Sequence, residues 1–176
     1  MRRRTLTLVS VALILVLLLP SLASAGGIRP KLGFWPGFRF LSVGQTGTLE
    51  VRASGMASLY GGEFVIHYDP TALEVLDVDP NLEGIQIEVG EVFGGADAFV
   101  ALNWVDSAEG AIHFAATLLE PAAPIQGSAN LARFTVRALR PVPTMLRFGS
   151  TTLLDSQANL LDALLLNGGL WLGPLH

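Results

Sequence analysis

Residues 59–75 read LYGGEFVIHYDPTALEV, and this stretch decides the fold class. From Glu63 to Tyr68 apolar and polar side chains alternate, a pattern typical of a β-strand with one buried face. Asp69-Pro70 then ends the strand, because aspartate favours a turn and proline cannot continue the ladder of hydrogen bonds. The predicted inner side carries Phe64, Ile66 and Tyr68, and the predicted outer side carries Glu63, Val65 and His67.

The same kind of pattern continues on both sides of this strand. Further strands are predicted at Gln45–Ala53, Leu73–Val78, Ile85–Val89, Ala98–Val105, Ala111–Leu118, Ala129–Ala138, Thr144–Phe148, Thr152–Leu154 and Leu164–Leu172. Turn residues separate them, and no window shows a sustained helical stripe. Many short strands without alternating helices predict an antiparallel β-sandwich or barrel.

The first 25 residues have the composition of a secretory signal peptide. Arg2, Arg3 and Arg4 precede a largely apolar run of 14 residues, Leu6–Leu19, and Ala23-Ser24-Ala25 supplies a cleavage site after Ala25. The alternative is a membrane anchor, but a spanning helix needs about 20 apolar residues. We therefore expect a secreted, extracellular protein with no membrane segment after signal removal.

Two further segments follow the signal peptide. Residues 26–37 form a Gly/Pro-rich lead-in, which the sequence leaves open as a linker or an edge strand. Residues 38–176 are predicted to form the folded domain.

Composition excludes several classes of function. After removal of residues 1–25, eight basic and fifteen acidic side chains remain, a net charge of −7. Such a surface repels phosphate backbones, which argues against nucleic-acid binding. The absence of cysteine excludes a disulfide scaffold, a thiolate metal site and a cysteine nucleophile.

Motifs for catalysis and metal binding are also missing. His67, His113 and His176 do not have the spacing of a preformed metal site. No Gly-x-Ser-x-Gly motif occurs, and residues 155–159 lack the glycine and glutamate of an EF-hand loop. The acidic pairs Asp77/Asp79 and Glu88/Glu91 are of a kind that any acidic domain contains by chance. We expect no catalytic residue, no metal site and no cofactor.

Residues 59–75 resemble the signature stretch of bacterial cohesin domains, in which a strand ends in Tyr-Asp-Pro and a spacer leads to Leu-Glu-Val. Four further segments resemble the family in the same order: residues 43–46, 110–127, 131–136 and 153–156. The resemblance covers residues 38–172. It implies an all-β, nine-stranded antiparallel jelly-roll β-sandwich that performs no chemistry. It also implies a dockerin-type partner, a helical calcium-loaded module of the secreted polysaccharide-degrading enzymes that assemble into cellulosomes.

The resemblance further implies a binding surface on one flat sheet face. The matching strands are residues 61–68, 98–104 and 111–116, and an acid that accepts hydrogen bonds from the dockerin falls on Glu63. The full set of implied partner-binding residues is Glu63, Val65, Leu102, Trp104, Ala111, His113 and Ala116. The chain departs from the family where Gly61 replaces an amide and Ala116 stands where an acid is often found, so a different specificity is expected.

Other functions stay open at this level. A carbohydrate-binding β-sandwich module that takes a polysaccharide would use a planar row of aromatic side chains. The tryptophans and tyrosines after the signal peptide do not follow i, i+2 spacing on one strand: they are Trp35, Tyr60, Tyr68, Trp104 and Trp171. A homodimer formed through the same sheet and a plain structural or adhesive domain are the remaining alternatives.

Overall fold

In a computed structural model, residues 29–174 are described, so the predicted signal peptide and His176 lie outside the described residues. The described chain forms twelve strands and one short 3-10 helix, Glu91–Phe93. The strands are β1 (Lys31–Trp35), β2 (Phe38–Ser42), β3 (Thr46–Leu59), β4 (Gly61–His67), β5 (Leu73–Leu76), β6 (Glu88–Val89), β7 (Ala98–Asp106), β8 (Ala111–Leu118), β9 (Ile125–Ala138), β10 (Pro143–Leu154), β11 (Leu164–Leu166) and β12 (Gly168–Gly173). Between residues 29 and 174 there is no helix long and apolar enough to cross a membrane.

The strands form two six-stranded sheets. Sheet I has the order β11-β1-β3-β9-β5, with β6 also paired to β9. Sheet II has the order β2-β12-β10-β4-β8-β7. Ten of the twelve strands are placed by antiparallel pairing, whereas β11 and β2 join their sheets through parallel pairs with β1 and β12.

The core lies between the two sheets and is built from alternate residues of each strand. Sheet II contributes Phe64 and Phe114, whose rings stack with centroids 5.1 Å apart. Sheet I contributes Phe134, which meets Phe34 edge-to-face at 6.3 Å. Packed aromatic pairs of this kind bury large apolar areas.

The predicted all-β jelly-roll sandwich is confirmed, with corrections in detail. The predicted nine antiparallel strands are twelve, and two pairings are parallel. The two strands predicted at 144–148 and 152–154 are one strand, β10, whose pairing with β4 shifts between Phe148 and Thr151. The predicted strand at 164–172 divides into β11 and β12, which lie in different sheets.

The lead-in contains a strand of the sandwich that is neither a linker nor an edge, since β1 lies between β11 and β3 in sheet I. β1 pairs with β3 over five residues, and Leu32 and Phe34 are buried in the core. The boundary drawn at residue 38 therefore divides a continuous folded region, and the sandwich includes residues from 31 onward.

Candidate functional site

The predicted binding residues lie on the neighbouring strands β4, β8 and β7 of sheet II, and all but Ala116 belong to its outer face. β4 and β8 pair without a shift from Gly61↔Thr117 to His67↔Ala111. This regular register confirms the predicted inner and outer sides of β4: Phe64, Ile66 and Tyr68 are buried, and Glu63, Val65 and His67 are not.

Three of the cross-strand rows on this face contain predicted binding residues. The first row is Glu63, Ala115 and Leu102; the second is Val65, His113 and Trp104; the third is His67, Ala111 and Asp106. In the second row the rings of Trp104 and His113 stack with centroids 4.2 Å apart and planes 3° apart. This stacking packs the indole against the imidazole ring of the neighbouring strand.

Five of the seven predicted residues present accessible side chains here, and two alanines do not. Ala111 is on the outer side by register, but only 4% of its surface is exposed. Ala116 is 5% exposed and packs in the core cluster. Because 111 and 116 differ by an odd number on a regular strand, they must face opposite sides. The expectation that both alanines are available to a partner is therefore wrong.

The sequence also missed exposed residues of the same face. Phe99 is exposed next to Leu102, although the two differ by three positions. The register of β7 shifts between Val100 and Leu102, and this bulge returns Leu102 to the side of Phe99. Alternation alone cannot predict such a bulge.

A second exposed group lies at the opposite edge of the same face. Phe38 and Phe40 of β2, Trp171 of β12 and Met145 of β10 are all exposed. The registers Gly169↔Phe38, Trp171↔Phe40 and Met145↔Gly169 place them together. Phe38 and Phe40 are at i, i+2 spacing, so the sequence does contain this aromatic pattern. The search for aromatic rows considered only tryptophan and tyrosine and therefore missed it.

Charges on this face are few. Glu63 is exposed and makes no ion pair within residues 29–174. Beside it, Asp155 follows β10, and its carboxylate accepts hydrogen bonds from the side-chain amide of Asn159 and the backbone N–H groups of Asn159 and Gln157. These bonds, the side-chain bond first, lower the pKa of Asp155, so the group is ionised at neutral pH.

The described residues contain no group of three or more side chains arranged to hold a metal ion. The acids of the face are spread along strands and turns, and its two histidines, His67 and His113, lie on different strands. The chemistry available on the face is therefore apolar contact, hydrogen bonding and the charges of Glu63, Asp106 and Arg147.

Comparison with solved structures identifies this arrangement of strands. A type II cohesin domain from the cellulosome of Acetivibrio cellulolyticus superposes with a TM-score of 0.70 at 14% identity, covering 81% of this chain and 95% of that one. A type I cohesin in complex with a dockerin, from Clostridium thermocellum, gives 0.64 at 14% identity, covering 82% and 99%. A non-cellulosomal cohesin from the archaeon Archaeoglobus fulgidus gives 0.63 at 13% identity, covering 82% and 91%.

Sequence comparison finds no such similarity: no family model and no curated protein matches the chain. The likeness is thus one of structure over nearly the full length of these domains. The chain has the fold of the cohesin domains.

Proposed function

We propose that this protein is a secreted, non-catalytic module that binds a dockerin-type protein partner through the outer face of sheet II. One observation carries the proposal: exposed apolar side chains share a sheet face with a carboxylate that has no ion pair among the described residues. Phe99, Leu102 and Trp104 supply the apolar surface, and Glu63 supplies the charge. Exposed apolar patches with polar neighbours mark interaction sites.

The structural neighbours support the choice of partner. Cohesins from Clostridium thermocellum and Acetivibrio cellulolyticus are solved as complexes with dockerins. A dockerin partner would link the protein to polysaccharide degradation by cellulosome-type assemblies, and the predicted signal peptide supports a location outside the cell.

In this proposal the rows of the face have different roles. Burial of Trp104 and Val65 supplies most of the binding energy, because a few large apolar side chains near the centre of an interface dominate affinity. Glu63 fixes the orientation of the partner by accepting hydrogen bonds at the edge of this patch. Ala111 and Ala116 contribute no contact, since both are buried.

The experiment is a calorimetric titration with recombinant type I and type II dockerin modules, with and without a calcium chelator. We expect saturable binding that is lost on chelation and abolished by Glu63→Arg. The matched control is Glu74→Arg, which makes the same charge change on the outer face of sheet I. If Glu63→Arg binds with unchanged affinity, this face is not the binding site. If no dockerin binds, the proposed partner class is wrong.

Carbohydrate binding is the second candidate function, and the group of Phe38, Phe40, Met145 and Trp171 favours it. Aromatic side chains on a sheet face can stack against sugar rings. However, the rings of Phe38 and Phe40 lie edge-to-face, with planes 81° apart, and so do not form a flat platform. Retention on insoluble cellulose that is lost in Trp171→Ala and kept in Glu63→Arg would favour this candidate over the first.

A further inference from the structure

A cleft of about 370 Å³ opens on the outer face of sheet II at the Glu63 end of β4. Its floor is made of small residues on adjacent strands, Gly61, Ala115 and Thr117, and its side is formed by Ala101 in the bulge of β7. A Cβ added at Gly61 would approach the Thr117 side chain to 3.0 Å, so the absence of a side chain there keeps the cleft open.

Two carboxylates line this cleft, and no basic residue does. Glu63 belongs to the first row of the face, and Asp155 stands at the end of β10. On sheet I, by contrast, Glu50, Glu74 and Glu88 each pair with an arginine within 3.2 Å. Within the described range, neither Glu63 nor Asp155 takes part in such a pair.

The two carboxylates are not equivalent. Asp155 is committed to its own loop through three hydrogen bonds, so it contributes negative charge more than free acceptor positions. Glu63 accepts no hydrogen bond from residues 29–174, and both of its oxygens are available to an incoming donor. The cleft is thus a negatively charged recess with one free acceptor group.

We propose that the cleft receives a basic side chain, arginine or lysine, of the protein partner, with its charged head at Glu63. The inference rests on the proposed function and adds the chemistry of the contacting residue. The occupant follows from charge complementarity and from size. A recess of this volume is at the small end of ligand sites and takes a single side chain, not a folded element.

The two ends of such a side chain match the two parts of the cleft. The methylene stem of lysine or arginine packs on apolar surface while the head stays at the polar end. Here Gly61 and Ala115 provide the apolar floor, and Glu63 pairs with Ala115 two residues along β4 from Gly61. An arginine head also pairs with a carboxylate through two parallel hydrogen bonds, which adds directional preference.

The test uses short peptides as probes, so that it does not depend on a dockerin. The isotope-labelled full chain is titrated with acetyl-Gly-Arg-Gly-amide and acetyl-Gly-Lys-Gly-amide, and the neutral control is acetyl-Gly-norleucine-Gly-amide. We expect either basic peptide to shift the backbone amide signals of Gly61, Ala115 and Thr117, with no saturable shift from the neutral one. Glu63→Gln should weaken binding of the basic peptides by about fivefold, the upper range for one exposed ion pair.

The matched control for this test is Glu109→Gln, which removes an exposed carboxylate in the turn between β7 and β8. It should leave peptide binding unchanged. Equal shifts with the neutral peptide, or an unchanged affinity in Glu63→Gln, would overturn the inference.

The outcome is separable from that of the proposed function. Binding of dockerins without any response to the basic peptides overturns the cleft proposal alone. Saturable binding of a basic peptide at the cleft by a protein that binds no dockerin supports the cleft and overturns only the choice of partner.

Discussion

The outer faces of sheet I and sheet II differ in what their exposed side chains contact. On sheet I, Arg133 bridges Glu50 and Glu88 at 3.2 and 2.8 Å, and Arg137 pairs with Glu74 at 2.8 Å. Even the exposed indole of Trp35 lies under the guanidinium of Arg52 at 5.5 Å. On sheet II none of the described residues forms an ion pair on the outer face.

The two outer faces therefore differ in their surface chemistry: sheet I carries paired charges, and sheet II carries exposed apolar side chains. Paired charges of both signs make a face that is well solvated and offers no unsatisfied group to a partner. Exposed Phe99, Leu102 and Trp104 next to an unpaired carboxylate make a face whose burial releases apolar surface from water.

The largest expected effect concerns the two sides of β4 itself. Phe64→Ala should lower the free energy of unfolding by about 3–5 kcal/mol, because Phe64 is fully buried and its loss opens a cavity. Val65→Ala, one residue along on the outer side, should cost less than about 1 kcal/mol. Urea unfolding of both variants gives the two values. A loss under about 1 kcal/mol for Phe64→Ala would mean that the register of β4 is wrong.

The register of β4 was predictable from the sequence because the strand is regular. Its alternation from Glu63 to Tyr68 is uninterrupted, and β8 pairs with it residue by residue. The same regularity shows why the expectation for Ala116 failed: it came from a resemblance, and the spacing from Ala111 contradicts it.

Other parts of the fold could not be read in this way. β1 and β2 pair in parallel with β11 and β12 from the far end of the chain, and no local pattern encodes a partner so distant. Leu32 and Phe34 do alternate with exposed neighbours, so the strand β1 itself had a signal. The bulge in β7 is a shift of the backbone register, which composition does not reveal. The cleft beside Glu63 also depends on Asp155, which follows β10 and is distant from Glu63 in the sequence.

The second prediction compares the exposed tryptophans of the two faces. Trp104→Ala should weaken binding of a dockerin-type partner by about 2 kcal/mol, or about 30-fold, because the indole is predicted to be a central contact. Trp35→Ala should leave the affinity unchanged, although Trp35 is more exposed, at 59% against 42%. Calorimetric titration measures both. An equal loss in the two variants would contradict the assignment of binding to sheet II.

The third prediction concerns the paired charges of sheet I. In a double-mutant cycle of Glu74→Gln and Arg137→Gln, the coupling energy should be about 0.5 kcal/mol at low salt, because both side chains are partly exposed, at 44% and 43%. It should fall as salt is added, since the pair is screened. Glu63→Gln on sheet II should leave stability unchanged at either salt concentration. A salt-dependent loss of stability in Glu63→Gln would show that Glu63 takes part in an ion pair, which would contradict the contrast between the two faces.

The smallest expected effect lies at the connection between the sheets, where Asp69 follows β4 and precedes β5. Its carboxylate accepts hydrogen bonds from the hydroxyl and the backbone N–H of Thr71, at 2.7 and 2.9 Å, and these bonds lower its pKa. The ionised form therefore favours the folded state above the unfolded pKa, at about pH 4, and this contribution is lost as pH falls through the folded pKa. Asp69→Asn should be less stable than the parent chain at pH 7, and the gap should narrow at pH 3 and close further below it. Urea unfolding at several pH values measures the gap, and a gap that stays constant with pH would mean that the turn is held by its backbone bonds and not by the charge of Asp69.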